Sequence, residues 1–202
     1  IQLVHANSSV IPLGGAVARS LGVPFVWHIR ELPFKHYGFH VDGGTRRYAT
    51  ELSKADALIA LSKAVATDIT TVSGATDRIT VVPNGVVHRE RLHRLRIEND
   101  GRWRSVPTFN FLSAGLFHRS KMQEEVVSAF AKVHRQYPST ALYLAGDGDM
   151  DRVRALARTS GAVHAIHFLG FVPDMDSLLA TSHAVVQCSR HEALGRITLE
   201  AM

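Results

Sequence analysis

Short apolar runs alternate with amphipathic stretches along the whole chain. That alternation constrains the fold more than any other feature. The runs Ile1–His5, Phe25–Ile29, Ala57–Ala60, Ile79–Val82, Phe109–Ala114, Ala141–Ala145, His164–Leu169 and Ala184–Cys188 read as strands. Helical periodicity fills the gaps at Pro12–Leu21, Thr45–Lys54, Ser62–Val72, Met122–Tyr137, Asp151–Ser160 and Asp174–Thr181. Val126, Phe130 and Val133 share one face of the Met122–Tyr137 stretch. Strands separated by helices of this length build parallel βαβ units, so the chain is expected to be α/β. Ser62 suits a helix N-cap, and Pro83-Asn84-Gly85 marks a turn toward a hinge.

The alternation breaks once. From His88 to Pro107 the chain is charge-dense, and the strand–helix pattern restarts at Phe109. This break divides the chain into residues 1–87, a charged connector 88–107, and residues 108–202. The connector reads as a solvated segment, with an anionic-lipid contact as the alternative. Ile1 begins inside an apolar run and Met202 stops within a helical pattern. A longer protein, cut at both ends, is therefore expected, and with it two incomplete domains.

Composition excludes several classes. The formal charge is +5. That can favour phosphorylated ligands or an anionic surface, but it is too small to imply nucleic-acid binding. No run approaches the roughly 18 apolar residues of a membrane span. The single cysteine, Cys188, cannot form an internal disulfide, which suits a reducing compartment. The 12 histidines are scattered without an HExxH motif or cysteine partners. His36 and His40 are four apart, but Gly38 between them argues for a loop. No metal site is expected.

The last stretch, Ser189–Met202, carries the most chemistry. Glu192 and Glu200 are separated by seven residues, with Gly195 between them and a helix expected to start near Arg196. A strand, a polar loop and a helix start in that order aim backbone N–H groups and the helix dipole at one spot. A phosphate fits there, and the flanking carboxylates can accept hydrogen bonds from sugar or ribose hydroxyls.

Four collinear stretches, VVPNGV (81–86), GLFHRSKMQEE (115–125), LAGDGD (144–149) and HEALGRITLEAM (191–202), resemble the retaining glycosyltransferases of the GT-B fold, group 1, also called family 4. The last stretch resembles that family's E-x7-E signature. VWHIREL and ALIALSKAV resemble, more loosely, the late part of the family's N-terminal domain. The resemblance implies two Rossmann-like parallel-sheet domains facing a cleft. It also implies transfer of a sugar from a nucleotide diphosphate sugar to a saccharide or lipid-linked acceptor, with polysaccharide or glycolipid synthesis as the setting. No cofactor is implied, and no metal, because protein groups supply the positive charge. A cytoplasmic location follows from the same resemblance, with a peripheral contact at the inner membrane face suggested by the basic balance.

Residue by residue, the resemblance gives Lys121 the nucleotide diphosphate and a share in stabilising the leaving group. It gives Glu200 the ribose hydroxyls, and it places Glu192 near the transferred sugar and phosphate. Gly195, Arg196 and Ile197 would supply phosphate-binding amides, Arg196 through its N–H alone. Gly115 is the loop glycine of the donor site, Gly146 and Gly148 permit a close approach of backbone to ligand, and Phe171 and Val172 follow a strand whose loop lies beside the base in the family. Each of these turns also reads as a plain turn. His28 matches a histidine beside the donor sugar. Arg30 and Glu31, which follow it, face the acceptor or pair with each other. The family usually has an arginine directly after the loop glycine. Here Leu116 follows Gly115, and Arg119 is the candidate substitute, against an ordinary exposed arginine.

Three readings compete with a transferase. A GT-B epimerase or phosphorylase fits poorly with the paired glutamates and the lysine loop. A catalytically impaired nucleotide-sugar-binding protein is favoured by the missing arginine and opposed by Glu192, Glu200 and Lys121. A Rossmann dehydrogenase is disfavoured because no GxGxxG follows a strand. Residues 1–202 alone are expected to bind nucleotide weakly and to turn over little.

Overall fold

The computed structural model describes residues 1–35, 42–74, 77–86, 89–91, 93 and 107–202. The His36/His40 loop and most of the charged connector lie outside the described residues. The chain divides into two units. One comprises Ile1–Asn84 and His191–Leu194, the other Gly85–Arg190 and Gly195–Met202.

In the first unit, β1 (Val4–Ala6), β2 (Phe25–Ile29), β3 (Ala57–Ala60) and β4 (Ile79–Val81) form a parallel sheet in sequential order. Helices α1 (Leu13–Leu21), α2 (Gly44–Ser53) and α3 (Lys63–Ser73) make the crossovers, as parallel pairing requires. The Ser62 hydroxyl accepts from the Val65 amide at 3.2 Å, so the expected cap is present. Trp27, Ile29, Leu52, Leu58 and Val65 fill the core. The Trp27 ring meets Tyr48 edge-on at 5.6 Å, and Tyr48 meets Phe34 in the same way at 5.5 Å. Ala193 and Leu194 join this core from the distant segment.

The second unit holds β5 (Phe109–Ala114), α4 (Gln123–Gln136), β6 (Thr140–Ala145), α5 (Asp151–Thr159), β7 (Ile166–Gly170), α6 (Met175–Ala180), β8 (Ala184–Val185) and α7 (Arg196–Ala201). All pairings are parallel, in the order β7-β6-β5-β8. Phe117, Val126, Val127, Phe130, Leu142 and Leu144 pack between sheet and helices. The strand order reverses at β5. In open parallel sheets a reversal of this kind, at the carboxyl ends of the strands, is where ligands bind.

Two sequence expectations need correction. The strand expected over Ala184–Cys188 is only Ala184–Val185 long. β8 is an edge strand, its last backbone bond runs from the Val186 amide to the Leu112 carbonyl (2.8 Å), and Gln187 beyond it turns to side-chain bonding. The helix expected from Met122 does not start there either. Lys121 closes a 3-10 turn, Arg119–Lys121, and Met122 in the left-handed region (φ 55°, ψ 41°) separates that turn from α4.

Among the described residues, no helix is long and apolar enough to cross a membrane.

Candidate functional site

The carboxyl ends of the second sheet carry the residues that the motifs single out. Main-chain hydrogen bonds stitch the loops there to one another. The Gly115 amide donates to the Ala145 carbonyl (2.9 Å), the Phe117 amide to Asp147 (2.7 Å), and the Gly146 amide to Gly170 (2.7 Å). Across the reversal in strand order, the Arg190 amide donates to the Ser120 carbonyl at 3.0 Å. The loops after β5, β6, β7 and β8 therefore form one continuous rim. Gly115, Arg119, Lys121, Gly146, Gly148, Phe171 and Val172 all lie on it.

Glycine is required where these loops touch. Gly146 has φ 147°, and a Cβ on it would collide with the Gly115 carbonyl oxygen. Gly148 has φ 112°, and its Cβ would sit 2.7 Å from the Phe117 carbonyl oxygen. The two glycines of the GDG turn thus let two main chains pack directly against each other. Phe171, at the end of β7, is 76% exposed.

The loop from Gly115 to Gln123 is bonded at several points. The His118 ring Nδ1 accepts from the Ser120 amide (3.2 Å) and lies 2.9 Å from the Ser120 hydroxyl. The Lys121 amide donates to the His118 carbonyl at 2.8 Å. Arg119 is exposed, and so is Leu116, at the place where the family usually has an arginine.

Gly195 caps α7 without a side-chain cap of its own. Gln187 secures this helix start. Its Oε1 accepts from the Thr198 hydroxyl at 2.6 Å, and its amide nitrogen donates to Ser189 at 3.4 Å. The Arg196 side chain also has a partner: its Nε donates to Glu200 Oε1 at 2.9 Å. Ile197 lies half-buried in the same turn. Gln187 and Thr198 were missed by sequence reasoning, since neither belongs to a recognised charge or glycine pattern.

Glu192 is half-buried in the segment that groups with the first unit. His28 is on β2, also in the first unit. Its ring stacks on His5 at 6.0 Å and 13°, and its Nε2 is buried without a hydrogen-bond partner among the described residues. Burial holds the His28 pKa below the usual imidazole value, and Arg30 and His5 push it further down. Glu31 accepts from the Ser9 amide (2.9 Å) and from the Ser9 and Ser8 hydroxyls (2.6 and 3.3 Å). Arg30 donates to Asn7 at 3.4 Å. Glu31 therefore braces the loop after β1 rather than pairing with Arg30. Among the described residues, no group of three His, Cys, Asp or Glu side chains could hold a metal ion.

Residues 1–90 match the family model of Glycosyltransferase Family 4, and residues 103–202 match that of Glycosyl transferases group 1. Glycogen synthase of Mycobacterium tuberculosis is 29% identical over 99% of this chain and 49% of its own length. The chain thus spans about half the length of the curated relatives it matches. Among solved structures, Anabaena Alr3699/HepE in complex with UDP superposes with a TM-score of 0.79 at 21% identity, covering 99% of this chain and 57% of that one. WaaG, a glycosyltransferase involved in lipopolysaccharide biosynthesis, superposes at 0.59 with 13% identity, covering 100% of this chain and 78% of that one. These likenesses bear out the α/β GT-B class expected from the sequence. With two family models matching everything but residues 91–102, the chain belongs to the group 1 glycosyltransferases.

Proposed function

We propose that this chain is part of a retaining glycosyltransferase that moves a sugar from a nucleotide diphosphate sugar to a saccharide or lipid-linked acceptor, with residues 108–202 binding the donor and residues 1–87 belonging to the acceptor domain. Polysaccharide or glycolipid synthesis is the proposed setting, at the cytoplasmic face of a membrane. The observation that carries the reading is the stitched rim at the strand reversal, where Lys121, Arg119 and the close-packed glycines share one edge. HepE, a structure of the same fold, was solved with UDP and with UDP-glucose.

The chemical demand is charge. As the glycosidic bond to the diphosphate breaks, negative charge grows on the departing oxygens. Lys121 and Arg119 offset it, and so do the amides of Gly195, Arg196 and Ile197. Lys121 acts as a compact point charge. With protein cations in this role, no metal is needed. Glu200 accepts from the ribose hydroxyls through the carboxylate oxygen that Arg196 leaves unused. Glu192 and His28 act at the transferred sugar. His28, held neutral by its surroundings, offers a hydrogen bond without a competing positive charge.

Titration with UDP, GDP and ADP tests this reading, with Lys121→Ala and Glu200→Ala beside the unaltered protein. One nucleotide binds, and each substitution weakens it by about tenfold. A folded protein that binds none of the three would overturn the reading. The exposed Leu116 beside Gly115 favours a second one, a nucleotide-sugar binder without turnover. Binding of UDP-sugar with neither transfer nor hydrolysis in the full-length protein would select it.

A further inference from the structure

Gln123 is the first residue of α4, and only 6% of its surface is exposed. A buried amide at a helix start needs a reason, because glutamine normally stays in water. Its Nε2 donates to the Leu116 carbonyl at 2.9 Å. That bond joins the two feet of an arch. Between them run Phe117, His118, the Arg119–Lys121 turn and Met122.

The arch is strained at one point. Met122 is the single non-glycine residue with positive φ among the described residues. An L-residue with a long side chain occupies the left-handed region only when its surroundings leave no alternative. Here the surroundings do so from both sides. Phe117 is bonded to Asp147 and Ser120 to Arg190, while the Met122 carbonyl accepts from Glu125 at 3.2 Å. The Gln123–Leu116 bond closes the loop between these anchors. Without it, the simplest release of strain is for Met122 to leave the left-handed region. That rotation would swing Lys121, the residue directly before it.

We propose that Gln123 is a positioning residue for Lys121: its buried amide holds the arch closed and so fixes the direction from which the lysine meets a nucleotide diphosphate. This rests on the donor-site reading of Lys121 given above. The bond itself involves no charged group and touches no ligand. Its effect passes through the main chain.

The test is a double-mutant cycle on the 202-residue chain, read by nuclear magnetic resonance titration with UDP, which measures weak binding. Gln123→Met keeps the shape and removes the donor. It should weaken UDP about fivefold in the unaltered background and less than about twofold beside Lys121→Ala. Gln123→Glu sets a carboxylate against the Leu116 carbonyl and should weaken UDP further, by about tenfold. Should Gln123→Met fail to fold, Gln123→Asn, one methylene too short to reach the carbonyl, carries the same cycle. Equal weakening in both backgrounds would overturn the proposal, because Gln123 would then act independently of Lys121. A lower melting temperature with UDP affinity unchanged would overturn it too, leaving Gln123 a purely stabilising residue. If Lys121→Ala weakens UDP and no Gln123 variant does, only this inference falls. If UDP, GDP and ADP all fail to bind the unaltered chain, the donor-site reading falls and this inference with it.

Discussion

The carbonyl oxygen of Gly115 occupies the space that a side chain on Gly146 would need. The obstacle is main chain, tethered just past β5 by the bond from the Gly115 amide to the Ala145 carbonyl, so it cannot rotate away as a side chain would. The Gly146 backbone, at φ 147°, is also one that L-residues rarely adopt.

Gly146→Ala should therefore destabilise the second unit by about 3 kcal/mol, combining backbone strain with a forced shift of the neighbouring strand end. Denaturant unfolding measures this. Gly161→Ala serves as the comparison, since an added Cβ there meets nothing within 4 Å and only the positive φ of 78° opposes it. Equal losses at the two sites would show that the close approach of the two loops is not what requires glycine at 146.

Tyr48 buries its hydroxyl in the first unit with no hydrogen-bond partner among the described residues. Removing an orphaned polar group relieves its desolvation cost. Tyr48→Phe should raise stability by about 1–2 kcal/mol in urea unfolding at neutral pH. Burial raises the phenol pKa well above its ordinary value, and the nearby Asp68 and Glu31 raise it further. The folded protein thus keeps this proton longer than the unfolded chain. The Tyr48 contribution is complete below pH about 10 and is lost as pH rises beyond it. In the Tyr48→Phe variant that alkaline loss should shrink. An unchanged alkaline limb with lowered stability would point to a bridging water that satisfies the hydroxyl.

His28 has the opposite sign. Its pKa is lowered in the folded state, chiefly by burial, so the unfolded chain binds the proton more readily. Its contribution is present above pH about 6.5 and is lost as pH falls through the lowered folded value. Urea midpoints at pH about 7.5 and about 5.5 should differ less in His28→Asn than in the unaltered chain. Identical pH dependence in the two would mean that the imidazole is protonated as easily in the fold as in water.

How much of this was legible in the sequence varies with the kind of contact. The strands Phe25–Ile29, Ala57–Ala60 and Phe109–Ala114 coincide with the runs read from the sequence, because parallel strands stay mostly apolar even where a polar residue such as His28, Asn110 or Ser113 interrupts them. The Ser62 cap was legible for a similar reason, since capping is chemistry between near neighbours. The extent of β8 was not, because its length depends on where its single neighbour stops pairing. Met122 and Gln123 were illegible as well. Nothing in a methionine foretells a left-handed backbone, and a glutamine beside two glutamates reads as surface until Leu116 is seen to need it. The grouping of His191–Leu194 with the first unit follows from the burial of Ala193, a long-range packing event with no local signature.

The stitching of the rim has a consequence for how this chain can drift. Its bonds at Gly115, Phe117, Gly146 and Arg190 run between peptide groups. Every residue type but proline carries the same amide, so most substitutions cannot delete them. Apart from the glycines at 146 and 148, side chains along these loops can be exchanged, and with them the shape and charge presented to a ligand, while the loops keep their places. A framework of this kind permits new specificities to arise by point mutation without first rebuilding the platform on which they stand.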